Sequence, residues 1–583
     1  MLLKRCTRNQ GARLATTVIF AGVVAALMLL GWAEAANQLS GNTVIQIKGG
    51  DEGTTEVSAL GRYLAGRAAR RDGDTASAAD FLGYALAGDP ANEGLQLEAF
   101  AVLIADGRID AALELATAIH DREPHMSLGN VVLAVTAARS GDFNAAQQQA
   151  RKASKRSINR LVMPLVTAWA QVGSKNFEGA IKSLKVLGKR KAFANFQRYH
   201  EALVNDLAGK NEAAETAYRA LVDHEAVGSQ RWYQAYGNFL ERNGRGGEAI
   251  SLYKRALSRD PDAPVLAQRL SAAEKGTVPN RFVADARSGL AEALFGVASV
   301  LSQEGALETA MIYARLAIFL RGEYPVAQLL VGRILETHEH WQEAITTYRD
   351  IDAESDYAWD AQLRTAASLQ RLKHYDEAIK LLRVMVKMAP VRTDALVALG
   401  DLYRSRKNWS EAVEQYDQAM ARVLEHGNAN WTLLYARGIA LERAKRWDRA
   451  EDDFLRALEL RPDQPLVLNY LGYSWIEQGR HLERARKMIE KAVRLRPRDG
   501  YIVDSLGWVL YRLGDFEGAV KQLERAVELR PQDPVINDHL GDSYWRVGRT
   551  LEARFQWQRA LAFEPEETLV LTIERKLGKG LED

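Results

Sequence analysis

Thiol is what this chain has least of: among 583 residues, Cys6 is the single cysteine. It stands before the apolar run at 14–32, not just after it where a lipoprotein carries its cysteine. An intrachain disulfide is excluded, and so is a paired-cysteine metal site. An excess of one charge is lacking too. Lys and Arg number 77 against 75 Asp and Glu, a net charge of +2 with the signs interspersed. That argues against a nucleic-acid partner, which needs a concentrated basic face. The basic runs KASKR (152–156) and GKRK (188–191) read as solvated helix faces.

Catalytic signatures are missing as well. There is no nucleophile elbow and no paired-cysteine motif. His338-Glu339-His340 resembles a metal pair, but residues i and i+2 do not share a helix face. Asp72-Gly73-Asp74 lacks the further ligands and closing Glu of a calcium loop. The Gly-rich stretch from Asn243 to Gly247 lacks the Lys-Ser/Thr of a phosphate loop. All three are expected in turns between helices. The expectation is a protein with no catalytic residues, no cofactor and no metal.

What is present is a period. Leu-Gly recurs at Leu399-Gly400, Leu471-Gly472, Leu506-Gly507 and Leu540-Gly541. Twelve or thirteen residues after each Gly comes Ala412, Ala485, Ala519 or Ala553, and seven further on Ala419, Ala492, Ala526 or Ala560. Three units then reach Pro497, Pro531 and Pro565. A repeat of about 34 residues marks a solenoid of helical pairs. Gly507 is expected where two helices cross closely, with Ala519 facing it. Leu506 and Leu510 supply an apolar stripe, and Pro531 closes the unit.

These residues resemble the tetratricopeptide repeat (TPR) family, with its small, aromatic and Pro positions at Gly507, Phe516, Ala519, Ala526 and Pro531. The resemblance implies an all-α, right-handed α-solenoid of about fourteen helix pairs. In register, units begin near 534, 500, 465, 431, 393, 359, 325 and 291, with weaker ones near 230, 195, 161, 127, 93 and 59. The unit at 465 carries one extra residue in its turn (GRHLERA). The unit at 230 shows Gly237, Ala249, Tyr253, Ala256 and Pro261. This gives an N-terminal degenerate array over 58–263 and a C-terminal array over 291–567. Between them, 264–290, with KGTVPNRF, reads as an irregular joint; a degenerate helix pair is the alternative. A capping helix follows at 568–583. Residues 36–57 read as a flexible tether.

Lys4, Arg5 and Arg13 precede the apolar run, and Ala33-Glu34-Ala35 follows it. Residues 1–35 are therefore expected to be a bacterial secretory signal, cleaved before Ala36. An uncleaved anchor is the alternative, the run being long enough to span a bilayer. The array is then periplasmic, or anchored in the inner membrane facing the periplasm, with membrane contact only through this segment.

In TPR arrays the second, fifth, ninth, twelfth and thirteenth residues of each first helix face the concave groove. The resemblance places Tyr435, Arg443, Asn469, Tyr473, Tyr501, Asp504, Trp508, Tyr511, Arg512, Asp538, Asp542, Trp545 and Arg546 there. Aromatic side chains beside Arg and Asp suit protein recognition; packing among themselves is the alternative. The family's chaperone-tail clamp uses Lys and Asn, where this chain has Asp504, Trp508 and Asp538. The last 120 residues or so are similar to Gram-negative envelope TPR adaptors of C-terminal processing proteases. That implies a non-catalytic scaffold binding proteins or peptides, an envelope protease or cell-wall hydrolase among them. An assembly factor for polysaccharide synthesis or export, and a non-catalytic subunit of a glycan-modifying enzyme, are the alternatives.

Overall fold

The computed structural model describes residues 58–123, 125–153, 158–223, 229–260, 263–426 and 430–581. The expected signal, the tether and Pro261 lie outside them. Among the described residues there are thirty α-helices and no strand. The contacts divide the chain into two compact units, at His374 and Tyr375.

The first unit opens with six pairs. These are α1 (Ala59–Arg71) with α2 (Thr75–Gly88), α3 (Glu93–Asp106) with α4 (Ile109–Arg122), and α5 (Ser127–Ser140) with α6 (Phe143–Lys152). Then come α7 (Asn159–Gly173) with α8 (Phe177–Gly188), α9 (Ala194–Leu207) with α10 (Asn211–Val222), and α11 (Gln230–Arg242) with α12 (Gly246–Arg259). A single helix α13 (Pro264–Glu274) precedes α14 (Ala286–Gln303) with α15 (Leu307–Arg321) and α16 (Pro325–Thr337) with α17 (Trp341–Arg349); α18 (Ala358–Arg371) ends the unit.

The second unit begins with α19 (Tyr375–Met388). It continues with α20 (Asp394–Ser405) and α21 (Trp409–His426), α22 (Trp431–Arg443) and α23 (Trp447–Leu460), and α24 (Pro465–Glu477) and α25 (Leu482–Leu495). It ends with α26 (Gly500–Arg512) and α27 (Phe516–Leu529), α28 (Pro534–Arg546) and α29 (Thr550–Ala562), and a last helix α30 (Glu567–Lys579). The fold is the expected all-α solenoid.

Local chemistry sets the pairs. Asp74, Asp142, Asn176 and Asp515 cap second helices, each accepting a backbone N–H two or three residues into the helix. Pro325, Pro465 and Pro534 open first helices, where the missing N–H costs nothing. The turn within a pair uses a left-handed residue: Gly514 at φ 84°, but Lys407 at φ 60°. The turn at 478–481 uses two, Gly479 and His481, which is how the extra residue is absorbed. The three suspect motifs are such turns, with Gly73, Glu339 and Gly244 left-handed.

The close crossing within a pair differs in its partner from the expected Gly–Ala contact. What meets Gly507 is Leu523, and the same spacing of sixteen recurs at Gly66–Leu82, Gly237–Tyr253, Gly332–Tyr348, Gly400–Tyr416, Gly438–Phe454 and Gly541–Trp557. A Cβ on any of these glycines would stand 2.1–2.8 Å from that side chain. Each large side chain thus fills the space its glycine leaves. Gly472 meets Ile489 at spacing seventeen, again because of the inserted residue.

The segment 264–290 is not where the units divide. Its loop packs on α11: Asn238 Nδ2 donates to the Asn280 carbonyl at 2.7 Å, and Phe282 N donates to Asn238 Oδ1 at 3.2 Å. It then delivers α14, five residues earlier than the expected start at 291, back to the six N-terminal pairs. Helix α14 packs on α7 and α9, and α15 on α3 and α5. These four are first helices of successive pairs. Gly289 lies against the buried Trp169 ring, where a Cβ would stand 2.1 Å away. The Glu292 carboxylate, 1% exposed, meets Arg231 Nη2 at 2.7 Å and accepts the hydroxyls of Tyr199 and Tyr324 at 2.7 and 2.6 Å. Burial works against that charge, but Arg231 and the two hydroxyls hold its pKa down to about 2. At the far end, Arg70 pairs with Glu308 at 2.6 Å.

Candidate functional site: the first helices of the second unit

On α3, α5, α7 and α9 the first-helix face is covered by α14 and α15; the expected residues all lie in the second unit. There α22, α24, α26 and α28 carry all thirteen expected residues. The structure sorts them by exposure.

Arg443, Tyr501 and Arg512 are exposed. Arg512 Nη1 reaches Glu477 at 2.8 Å, and the Arg530 guanidinium stands over the Tyr501 ring at 4.7 Å. Tyr435, Asn469, Tyr473, Trp508, Tyr511, Trp545 and Arg546 are half-buried. Trp508 stacks on Tyr511, with centroids 4.9 Å apart, and on His539 at 4.1 Å; its Nε1 donates to Glu477 at 2.8 Å. Arg546 Nε donates to the Tyr511 hydroxyl at 3.4 Å. Tyr435 packs edge-on against Tyr470 at 6.0 Å. Burial, then the Glu477 and Asp504 carboxylates, raises the Tyr473 pKa, so its hydroxyl stays a donor. The buried Asn469 Oδ1 has no hydrogen-bond partner.

Asp504, Asp538 and Asp542 are buried, and here the structure departs from the groove reading. They do not face an empty groove. Lys576 of α30 places its Nζ 2.8 Å from both Asp538 oxygens and 2.7 Å from Asp542 Oδ1. Trp557 Nε1 donates to Asp542 at 3.0 Å. Trp545 lies beside Trp557, at 5.5 Å, and against Gly580. The last helix therefore covers the acidic end of the row, and the reason is the lysine it carries. Burial, then Asp538, raises the Asp542 pKa to about 6, against the pull of Lys576.

Sequence reasoning missed Tyr470 and His539, both at the sixth position of a first helix. That position reaches back to the preceding first helix: His539 Nδ1 lies 2.9 Å from Asp504. A ring at the sixth position, one unit after a concave aromatic or carboxylate, was the available signal.

Among the described residues no group of three or more His, Cys, Asp or Glu could hold a metal ion. None of the described helices is long and apolar enough to cross a membrane.

Comparison with known proteins agrees with this architecture. Tetratricopeptide repeat profiles match residues 230–273, 363–423, 397–465 and 435–499, and a TPR repeat profile matches 507–548. A TPR repeat-containing protein of Pseudomonas aeruginosa is 28% identical over 193 residues, 33% of this chain and 32% of that one. The general transcriptional corepressor ssn6 of Schizosaccharomyces pombe is 24% identical over 133 residues, 23% of this chain and 12% of that protein. The match thus spans a third or less of either relative. Among solved structures, the Cut9-Hcn1 assembly of the APC/C covers 89% of this chain and 96% of its own, at 14% identity and TM-score 0.39. MamA covers 29% and 95%, at 21% identity and TM-score 0.26. The chain thus carries tetratricopeptide repeats over residues 230–273, 363–499 and 507–548.

Proposed function

We propose that this array is a non-catalytic scaffold of the bacterial cell envelope, and that it holds partner proteins on the first helices of its second unit. The observation that carries this is the row Tyr473, Trp508 and Tyr511, half-exposed and flanked by the exposed Arg443 and Arg512. Large rings with arginines at their edge are the side chains that anchor protein interfaces. The envelope location rests on the N-terminal pattern of basic residues, apolar run and small residues. An envelope protease with its cell-wall hydrolase substrates is the partner set, following the likeness of the last 120 residues or so to such adaptors.

The test is capture from envelope extract by the tagged full chain, read by mass spectrometry, with Tyr473→Ala/Trp508→Ala as comparison. Loss of the same partners in the variant supports the reading. Unchanged capture would place the binding surface elsewhere. Glycan synthase or export components in place of protease and hydrolases would favour an assembly factor, and recovery of the chain from cytosol would overturn the location.

A further inference from the structure

A cavity of about 400 Å³ opens in the first unit where α14 begins. Its wall takes Arg139 from the end of α5, Lys175 from the turn between α7 and α8, and Arg287 from the first turn of α14. Phe143 and Phe177, which open α6 and α8, line it as well.

The three cations are exposed, and none of them has an ion-pair partner among the described residues. The wall's one carboxylate caps α14 and makes no ion pair with the three cations: Asp285 Oδ1 accepts Ser288 N at 2.7 Å and Ser288 Oγ at 2.9 Å. Arg287 Nη1 donates to the Arg139 carbonyl at 3.3 Å, so the two arginines are held together without being neutralised. The Arg139 guanidinium is fixed over the Phe319 ring at 3.9 Å. The positive end of α14, eighteen residues long, adds to the same field. Three cations and one carboxylate on the wall leave an excess of positive charge there, which a bound anion offsets. The volume is that of a small-ligand site, and the phenylalanines offer a face to an apolar body.

We propose that this cavity binds a small organic oxyanion, a carboxylate or phosphate carried on an aromatic or aliphatic body. The site exists only because α14 returns to the N-terminal pairs; its partner chemistry is separate from that of the second unit.

Titration calorimetry on the full chain at low salt, with phenyl phosphate, phenylacetate and inorganic phosphate, tests it. One-to-one binding of an aromatic oxyanion is expected, weaker for inorganic phosphate and falling as salt rises. Tighter binding of the ester or of the carboxylate assigns the source. Lys175→Glu and Arg287→Gln should each lower affinity about tenfold or more, the worth of one charge-assisted hydrogen bond. Lys175 has φ 60°, and Glu339 occupies the same turn position at φ 63°, so the glutamate suits that backbone. Lys373→Glu, at φ 62° in another turn, is the control and should bind unchanged. If Arg287→Gln folds poorly, Lys175→Glu alone decides. No saturable binding of any of the three probes, or equal affinity in the wild-type chain and Lys175→Glu, would overturn the proposal.

Discussion

His539 Nδ1 lies 2.9 Å from Asp504 Oδ1, joining α28 to α26 beneath the Trp508 ring. Burial alone would lower the His539 pKa; Asp504, then Asp538 and Asp542, outweigh it and raise it. Asp542 is raised too, from 3.8 to about 6. A group raised on folding stabilises below its unfolded pKa and loses that contribution as pH rises through the folded value. For Asp542 the loss runs from about pH 4 to 6, and for His539 it begins near 6.5. The end of the second unit is therefore expected to be better protected at pH 5 than at pH 8. Hydrogen exchange on α28 and α30, corrected for intrinsic rates, checks this; equal protection would contradict it.

The first unit has the opposite sign. Glu292 is held near 2 from 4.5, so its contribution is present above about pH 4.5 and lost as pH falls through the folded value. Glu292→Ala leaves Arg231 buried without its partner and should cost about 3–5 kcal/mol. Proteolysis between α13 and α14 should accelerate, since the variant frees α14. Cleavage at the wild-type rate would show that Glu292 does not hold it.

Lys576→Met should uncouple the last helix. It leaves Asp538 and Asp542 buried side by side, a loss of about 3–5 kcal/mol by the same reasoning. Protection of α30 should vanish while that of α22 is kept, because repeats couple chiefly to neighbours. Equal loss across the unit would instead show it melting as one block.

Gly541→Ala should cost about 1–3 kcal/mol, because its Cβ would stand 2.4 Å from the Trp557 ring nitrogen. Gly514→Ala faces open space and is strained only by its φ of 84°. Denaturant melts of the two separate a packing loss from a turn loss. Substituting Trp557 by Leu in the Gly541→Ala background should recover part of the first and none of the second.

The period alone made the helical pairs legible, down to the extra residue that became His481 in a left-handed turn. Small residues at fixed spacing report contacts within a pair, and those are local. The large side chain sixteen residues after each of these glycines was legible too, but lay outside the Gly–Ala pairing considered. What the sequence did not disclose is which concave faces are already covered. The contacts of Arg70 with Glu308 and of Lys576 with Asp538 span 238 and 38 residues, beyond the reach of a repeat pattern. Asp538 and Asp542 looked like recognition residues because the pattern places them on the inner face; it says nothing of the helix that arrives there later.

The return of α14 and α15 gives the first unit a birth order. A solenoid can ordinarily close each repeat as it is made. Here Trp169 and the inner faces of α3, α5, α7 and α9 are synthesised well before the helices that cover them. Arg70 waits 238 residues for Glu308. Completion of this unit is a late, long-range step, slow for the reason that high contact order is slow. Through that interval the nascent N-terminal half exposes apolar surface, and this is when aggregation competes with folding and a holding chaperone has something to hold.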